Sequence, residues 1–395
     1  MNNLQRKKEV VILGLGGAGG RVVQTINSLP EAAGLRLCVF DTDRRALEQL
    51  ELLPDNCKVL CDEQWLLGQG TGGDVMKGQR AIAREGNQLQ QLMHDAALLL
   101  IVGGLGGGTA TGGAGVISRM ARSNNLTALG IFEMPFSFEG PGRSRAAENG
   151  LRELLALSDT VMGIPNDLLF SVLPAETGFA DAFNLADGEF ARAVLGIVDV
   201  ISPGNLLSAD IGDLAAILKS RKSYAAIGVG YGDSDEPGES CNQALTALLD
   251  SPFLGGAAKL KDADAVILNL TGGEALTINN VTRTLESAGA LPGIAAKVMV
   301  GANVRPGMGS RVHITAVAIK YDERETVTRP VAEAAKPARR TRRREQSAAQ
   351  PVQQMLPLTM NSCGIFEGRT PTIIDGVNFD VPAFVRRQVS IDTGE

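Results

Sequence analysis

An α/β protein with a mainly parallel sheet, a long central helix and a second, smaller α/β domain is the fold class that this 395-residue sequence predicts. A few observations carry that reading. Apolar runs of strand length alternate with helical stretches from residue 9 onward. The runs are apolar throughout instead of alternating with polar residues, the mark of strands buried on both faces. Glycine clusters stand at the ends of successive runs, where a doubly wound sheet places its ligand loops.

Taken in order, EVVILGLG, RLCVFDTD, AALLLIVGG, ALGIFEMP and TVMGIPND read as strands, beginning at residues 9, 36, 96, 128 and 160. Residues 179–201 keep helical spacing for about six turns, and Pro203 and Gly204 then end the pattern. SYAAIGVGYG, DAVILNLTGG, AAKVMVGANV and RVHITAVAIK supply further strands, with helices near 237–250 and 275–288. The implied division is a first domain at 1–178, a central helix at 179–203 and a second domain at 204–321. Residues 322–371 carry no apolar period, are rich in Ala, Arg, Gln and Pro, and read as a disordered linker. Their run Arg339, Arg340, Arg342, Arg343 and Arg344 reads as a solvated charge cluster. Apolar residues return in a tail at 372–395.

Composition excludes several classes. The net charge of −6 argues against a protein built to coat nucleic acid. No apolar stretch approaches the ~20 residues needed to span a bilayer, and the N-terminus lacks a secretory pattern, so a cytoplasmic location is expected. The five cysteines are scattered, and no histidine lies near the Cys57/Cys61 pair, so neither zinc nor a disulfide framework is indicated. His94 and His313 sit in apolar sequence surroundings that suggest structural roles.

The 47 glycines concentrate in loops. GGLGGGTATGG, residues 103–113, follows the apolar run directly and precedes a helical stretch. Strand, glycine loop and helix together make an anion cradle of backbone N–H groups, with the Thr109 and Thr111 hydroxyls as further donors. Two more clusters stand at 14–20 and 68–74. None carries the lysine of a G-x-x-x-x-G-K-[ST] loop, so charge must be met by amides, helix dipoles and a metal ion carried on the phosphates. GLGGAG at 14–19 also fits the dinucleotide fingerprint, with Asp41 ending the second strand, which keeps an NAD-binding Rossmann oxidoreductase open. One pyrophosphate needs one such loop, whereas three suit a triphosphate. Phe183 and Asp187, four apart on the long helix, share one face. A phenyl ring stacks on a purine, and a carboxylate accepts the paired N–H donors that guanine presents and adenine lacks.

Residues 103–113 resemble the glycine signature of the tubulin superfamily, and within it the FtsZ family of bacterial cell-division GTPases. The resemblance runs from residue 9 to about 320 and resumes at the tail. It includes LGLGGAGGRV, VFDTD, GQGTGGD, MPFSFEGPGR and SDTVMGIPNDLL. It implies a tubulin/FtsZ-like fold whose N-terminal Rossmann-like domain binds GTP or GDP, with Mg2+ held through the phosphates and no protein metal site. The positions implied are Gly16, Gly17, Ala18, Gly19, Gly20 and Arg21 in the first loop, Asp41 in the second, and Thr71, Gly72 and Gly73 in the third. Gly106, Gly107, Gly108, Thr109, Ala110, Thr111 and Gly112 follow in the signature, then Glu139 and Arg143 beside the ribose, and Phe183 and Asp187 at the base. Departures from the family pattern fall at Ala110, Arg21 and Ser208.

NLLSADIGDLAAIL places Asp210 and Asp213 three apart, a pattern that by itself also suits a helix start. The resemblance implies that both enter the nucleotide site of a neighbouring subunit and orient the attacking water. Hydrolysis would then require head-to-tail contact, which builds a filament where its rotation does not close. DVPAFVRRQ is similar to the family's C-terminal peptide. Asp380, Val381, Pro382, Phe384, Arg386 and Arg387 would bind division adaptors that supply membrane attachment at a mid-cell ring, with nucleic acid not expected as a partner. A divergent filament or scaffold with weak hydrolysis is the other reading within the same fold.

Overall fold

The computed structural model describes residues 9–171, 177–201, 211–219, 222–293, 295–322, 373–374 and 377–378. Ser208, Asp210 and the tail positions Asp380 to Arg387 lie outside the described residues. Two compact units divide the chain, Met1–Thr328 and Arg329–Glu395.

In the first unit β1 (Glu9–Leu15) runs into α1 (Gly16–Asn27), then come β2 (Arg36–Asp41), α2 (Arg44–Glu48), β3 (Lys58–Leu60) and α3 (Glu63–Leu66). Next are α4 (Val75–Arg84), α5 (Gly86–His94), β4 (Ala96–Gly104), α6 (Gly108–Ser123), β5 (Thr127–Met134), α7 (Pro141–Leu157) and β6 (Thr160–Pro165). The long helix α8 (Phe179–Val200) and the short α9 (Ile211–Leu218) lead to β7 (Ser223–Gly232), α10 (Pro237–Leu249) and α11 (Ala257–Lys261). The unit ends with β8 (Ala265–Gly272), α12 (Ile278–Gly289), β9 (Lys297–Val304) and β10 (Val312–Tyr321). The described part of the second unit is an antiparallel pair, β11 (Ile373–Ile374) with β12 (Val377–Asn378).

All the strands from β1 to β10 form one sheet, in the order β3-β2-β1-β4-β5-β6-β7-β10-β8-β9. Every pairing is parallel except those of β10, which runs antiparallel to both β7 and β8. The β6–β7 seam is short, pairing Thr160 with Ser223 and Val161 with Tyr224. A buried hydroxyl pair reinforces it, with Thr160 Oγ1 and Ser223 Oγ 2.8 Å apart.

Burial on both faces explains the unbroken apolar runs. Ile12, Leu98, Leu100 and Val102 pack with Val22, Val23 and Ile26 of α1 and with the inner stripe of α8. Their neighbours Val11, Leu13, Leu99 and Ile101 turn to the opposite face and meet Ala81, Leu89, Ile117 and Leu154 from α4 to α7. Successive strand residues point to opposite faces, so a strand covered on both sides has no room for polar alternation. A further core gathers Ala244, Leu248, Leu268, Leu270, Ile314 and Leu285 around β8 and β10. Helix α8 belongs to the first of these cores together with Ile227, Ile267 and Val317 of the later strands, so it is welded to both halves of the sheet.

Candidate functional site

A cavity of about 550 Å³ opens at the C-terminal ends of β1, β4 and β5, where a parallel sheet leaves its loops free to hold a ligand. One wall is glycine backbone. Gly16, Gly17 and Ala18 open α1, and Gly107, Gly108, Thr109 and Ala110 open α6. Two helix N-termini therefore border the same space, each with unpaired N–H groups and the positive end of its dipole.

This wall is shaped by close packing. Gly106 holds φ +95°, a left-handed conformation, and a Cβ there would fall 2.7 Å from Arg143 Cγ. Its N–H donates to Thr111 Oγ1 at 2.9 Å, which ties the loop back onto the helix. At Gly108 a side chain would overlap Thr71 Oγ1 and stand 2.6 Å from the Asp74 carbonyl oxygen, and at Gly112 one would overlap the Val75 carbonyl. These two glycines let α4 and the 68–74 loop press against α6. Gly17 and Gly107, by contrast, have open space where a side chain would be. The glycine excess thus serves both cavity and helix contact, a division that the bare motif does not reveal.

Thr71 is buried against Gly108, while Gly72 and Gly73 are exposed and lie outside the cavity wall. Gly19 and Gly20 are buried in α1, Gly19 facing the Val102 carbonyl. Asp41 is buried behind the wall. It accepts the Thr42 N–H at 2.7 Å and the Asp43 N–H at 3.2 Å, and Thr42 Oγ1 meets Thr109 Oγ1 at 2.7 Å. Burial pushes its carboxyl up to about 6, against those two N–H donors. The acid at the end of β2 therefore fixes its own turn beneath Thr109.

Glu139 and Arg143 line the cavity as a pair, Nη1 to Oε2 at 2.9 Å, and Glu139 Oε1 also accepts the Phe136 N–H at 2.8 Å. Phe183 is half-buried on the wall and meets Phe136 edge-on, with ring centroids 5.1 Å apart. Asp187 is placed differently from Phe183. Only 3% exposed, it lies behind the wall, its Oδ2 accepting from Arg21 Nε at 2.7 Å. The helical spacing does bring Phe183 and Asp187 to one face, but the ion pair with Arg21 holds the carboxylate.

In front of Asp187 stand two side chains absent from the sequence reading, Glu133 at the end of β5 and Asn166 just after β6. Each is 5% exposed. Burial first, and then the charge of Asp187, pushes the Glu133 carboxyl up to about 8, against the pull of Arg21 and a hydrogen bond with Asn166. Glu133 therefore keeps its proton and donates it toward Asp187, which remains the ionised partner of Arg21. The available signal was position: a lone acid at the carboxyl end of an otherwise apolar strand, where ligands of such sheets bind.

Asp213 is exposed in the first turn of α9 and is not on the cavity wall of its own chain. His313 departs from its expected apolar setting. It lines a second cavity of about 560 Å³ with Asp199, Arg192, Arg305 and Glu31, its Nε2 3.9 Å from Asp199 Oδ2. Described cysteines 38, 57, 61 and 241 are all free thiols. No helix among the described residues is long and apolar enough to cross a membrane.

Fold and wall define a nucleotide-binding α/β protein that meets phosphate with backbone amides and helix termini, apart from the lysine P-loop class. Residues 9–174 match the family model described as Tubulin/FtsZ family, GTPase domain, and residues 223–322 that described as FtsZ family, C-terminal domain. The chain is 30% identical over 315 residues to the cell division protein FtsZ of Buchnera aphidicola subsp. Baizongia pistaciae, covering 78% of each. It is 32% identical over 317 residues to cell division protein FtsZ 1 of Pyrococcus woesei, covering 79% of this chain and 82% of that one. An empty FtsZ dimer from M. jannaschii superposes with TM-score 0.73 at 26% identity, over 80% of this chain and 89% of that one. The chain belongs to the Tubulin/FtsZ family, as an FtsZ-type cell-division GTPase. The NAD-dependent alternative is thereby set aside.

Proposed function

We propose that the cavity is the GTP site of a self-associating protein and that its hydrolysis is completed across a head-to-tail subunit contact. One observation carries the reading. The glycine wall offers amide and hydroxyl donors, whereas Asp213 is exposed on α9, outside the cavity of its own chain. A bound triphosphate would meet N–H groups of Gly17, Gly107 and Gly108 and the Thr109 hydroxyl. Phe183 would stack on the base, and the Glu139–Arg143 pair would border the sugar.

The donor set fits a nucleotide that brings its own Mg2+, because the acid nearest Thr109 is spent on the turn beneath it. Bound there, the ion would neutralise charge between the phosphates. Asp210 and Asp213 of the neighbour would hold the attacking water. A heterologous contact of this kind extends into a filament, and GTP would favour the contact that its own cleavage weakens. Within this reading 1–178 binds nucleotide, 204–321 activates its neighbour, and 322–371 tethers the tail at 372–395. That tail would order on adaptors that bring the filament to the membrane at a division ring in the cytoplasm.

Phosphate release measured across a protein titration tests this. Turnover per subunit should rise steeply with concentration, and Asp213→Ala should abolish it while GTP-dependent sedimentation persists. Equal turnover in dilute and concentrated samples would refute a shared site.

A further inference from the structure

The cavity wall where β5 pairs with the start of the glycine signature, Glu133 beside Gly104, holds a chemical feature that the hydrolysis reaction does not use. Glu133 lies on the wall, is 5% exposed, and its Oε1 has no hydrogen-bond partner. An unsatisfied buried acceptor costs about 1–3 kcal/mol, so native structures rarely keep one without a use. Its carboxyl shares a proton with Asp187, and Asp187 is ion-paired with Arg21. The carboxylate that the sequence offers for base recognition is therefore occupied, and the acceptor left over belongs to Glu133. The terminal torsion of a glutamate is soft, and Arg21, the side chain bordering it, is 42% exposed.

We propose that Glu133 reads the nucleoside, its Oε1 accepting a hydrogen bond from the exocyclic amine of guanine or from the ribose 2′-hydroxyl. The inference rests on the cavity being the guanine-nucleotide site. Both donors are absent from one common analogue each, so the source is separable. Asp187 then acts as a positioning residue: it fixes the rotamer of Glu133 by accepting a hydrogen bond from its carboxyl proton, while Arg21 keeps Asp187 ionised.

The test uses the full chain and the binding of GDP, inosine diphosphate and 2′-deoxy-GDP, which removes hydrolysis from the measurement. Wild type should bind one of the two analogues about tenfold more weakly than GDP, the loss of one net hydrogen bond. Glu133→Leu should bind GDP about tenfold more weakly than wild type does, yet bind that same analogue as wild type does. Glu133→Gln keeps the acceptor and a donor toward Asp187 and should restore GDP affinity to within about twofold of wild type. A selective loss with inosine diphosphate assigns the amine, and one with 2′-deoxy-GDP assigns the sugar. Equal weakening of all three nucleotides in Glu133→Leu, or no weakening, overturns the proposal. Should Glu133→Leu fail to fold, wild type binding all three within about twofold overturns it equally. Absence of GDP binding by wild type would instead bring down the reading of the cavity itself.

Discussion

The glycine wall and the charged end of the same cavity are built by opposite means. At the wall, Gly17 and Gly107 leave out side chains so that backbone N–H groups and helix termini face the space directly. At the charged end, Arg21, Asp187 and Glu133 come from α1, α8 and β5, elements separated by more than 40 residues of chain, and constrain one another through charge and a shared proton. A wall made of backbone is written locally, as a run of consecutive residues. A cluster made of side chains exists only once the sheet and the long helix have packed.

The contrast can be broken or sharpened by substitution. The largest effect should come from Gly108→Ala, whose new methyl would overlap Thr71 and the Asp74 carbonyl. A stability loss of about 3 kcal/mol is expected from this overpacking, with GTP binding weakened roughly a hundredfold. Denaturant titration together with nucleotide binding would check both, and a variant as stable as wild type would show that α4 can retreat at little cost.

Proton linkage should separate the two ends next. Glu133 keeps its proton in the folded state up to about 8 and Asp41 up to about 6, whereas unfolded carboxyls release theirs near pH 4. The folded chain therefore binds more protons between those limits, and stability should fall as pH rises through them. Melting temperature against pH should show the Asp41 contribution lost by about pH 6 and the Glu133 contribution by about pH 8. Glu133→Gln should flatten the upper part alone. A Glu133→Gln profile parallel to wild type from pH 6.5 to 8.5 would contradict a neutral Glu133.

Arg21→Ala removes the cation from a buried acid pair, and a loss of about 2 kcal/mol is expected, lowered by the half-exposed position of the guanidinium. Adding Asp187→Asn should recover part of it, and strictly additive losses in the double-mutant cycle would show that the two do not interact. The smallest effect should be that of Thr111→Val, which deletes the bond to the Gly106 N–H while keeping the side-chain shape. About 1 kcal/mol is expected, read by thermal unfolding.

Much of the fold was legible before any packing was known. SYAAIGVGYG is β7 residue for residue, and the pattern over 179–201 is α8 to within one residue. Unbroken apolar runs can only be strands covered on both faces, and that physical demand places the helices as well. The antiparallel course of β10 was not legible, because RVHITAVAIK looks the same in either direction. Nor was the continuity of the sheet through the two-residue β6–β7 seam. Of the site, the glycine loops, Phe183, Glu139 and Arg143 were identified, and all but the 68–74 loop contribute to the cavity wall. Glu133 and Asn166 were missed: the strand-end position of Glu133 was a signal, but a single acid and a single amide form no motif.

By itself the sequence determined the strands, the long helix and the backbone cradle, because hydrophobic periodicity and glycine runs act between neighbours in the chain. Only the tertiary structure decided which acid lines the cavity. Asp187 and Glu133 are equivalent as residues on paper, and burial beside Arg21 makes one the ionised partner and leaves the other neutral, with an oxygen unsatisfied on the cavity wall. Desolvation and Coulomb forces depend on distance in space, and that distance is set by folding alone.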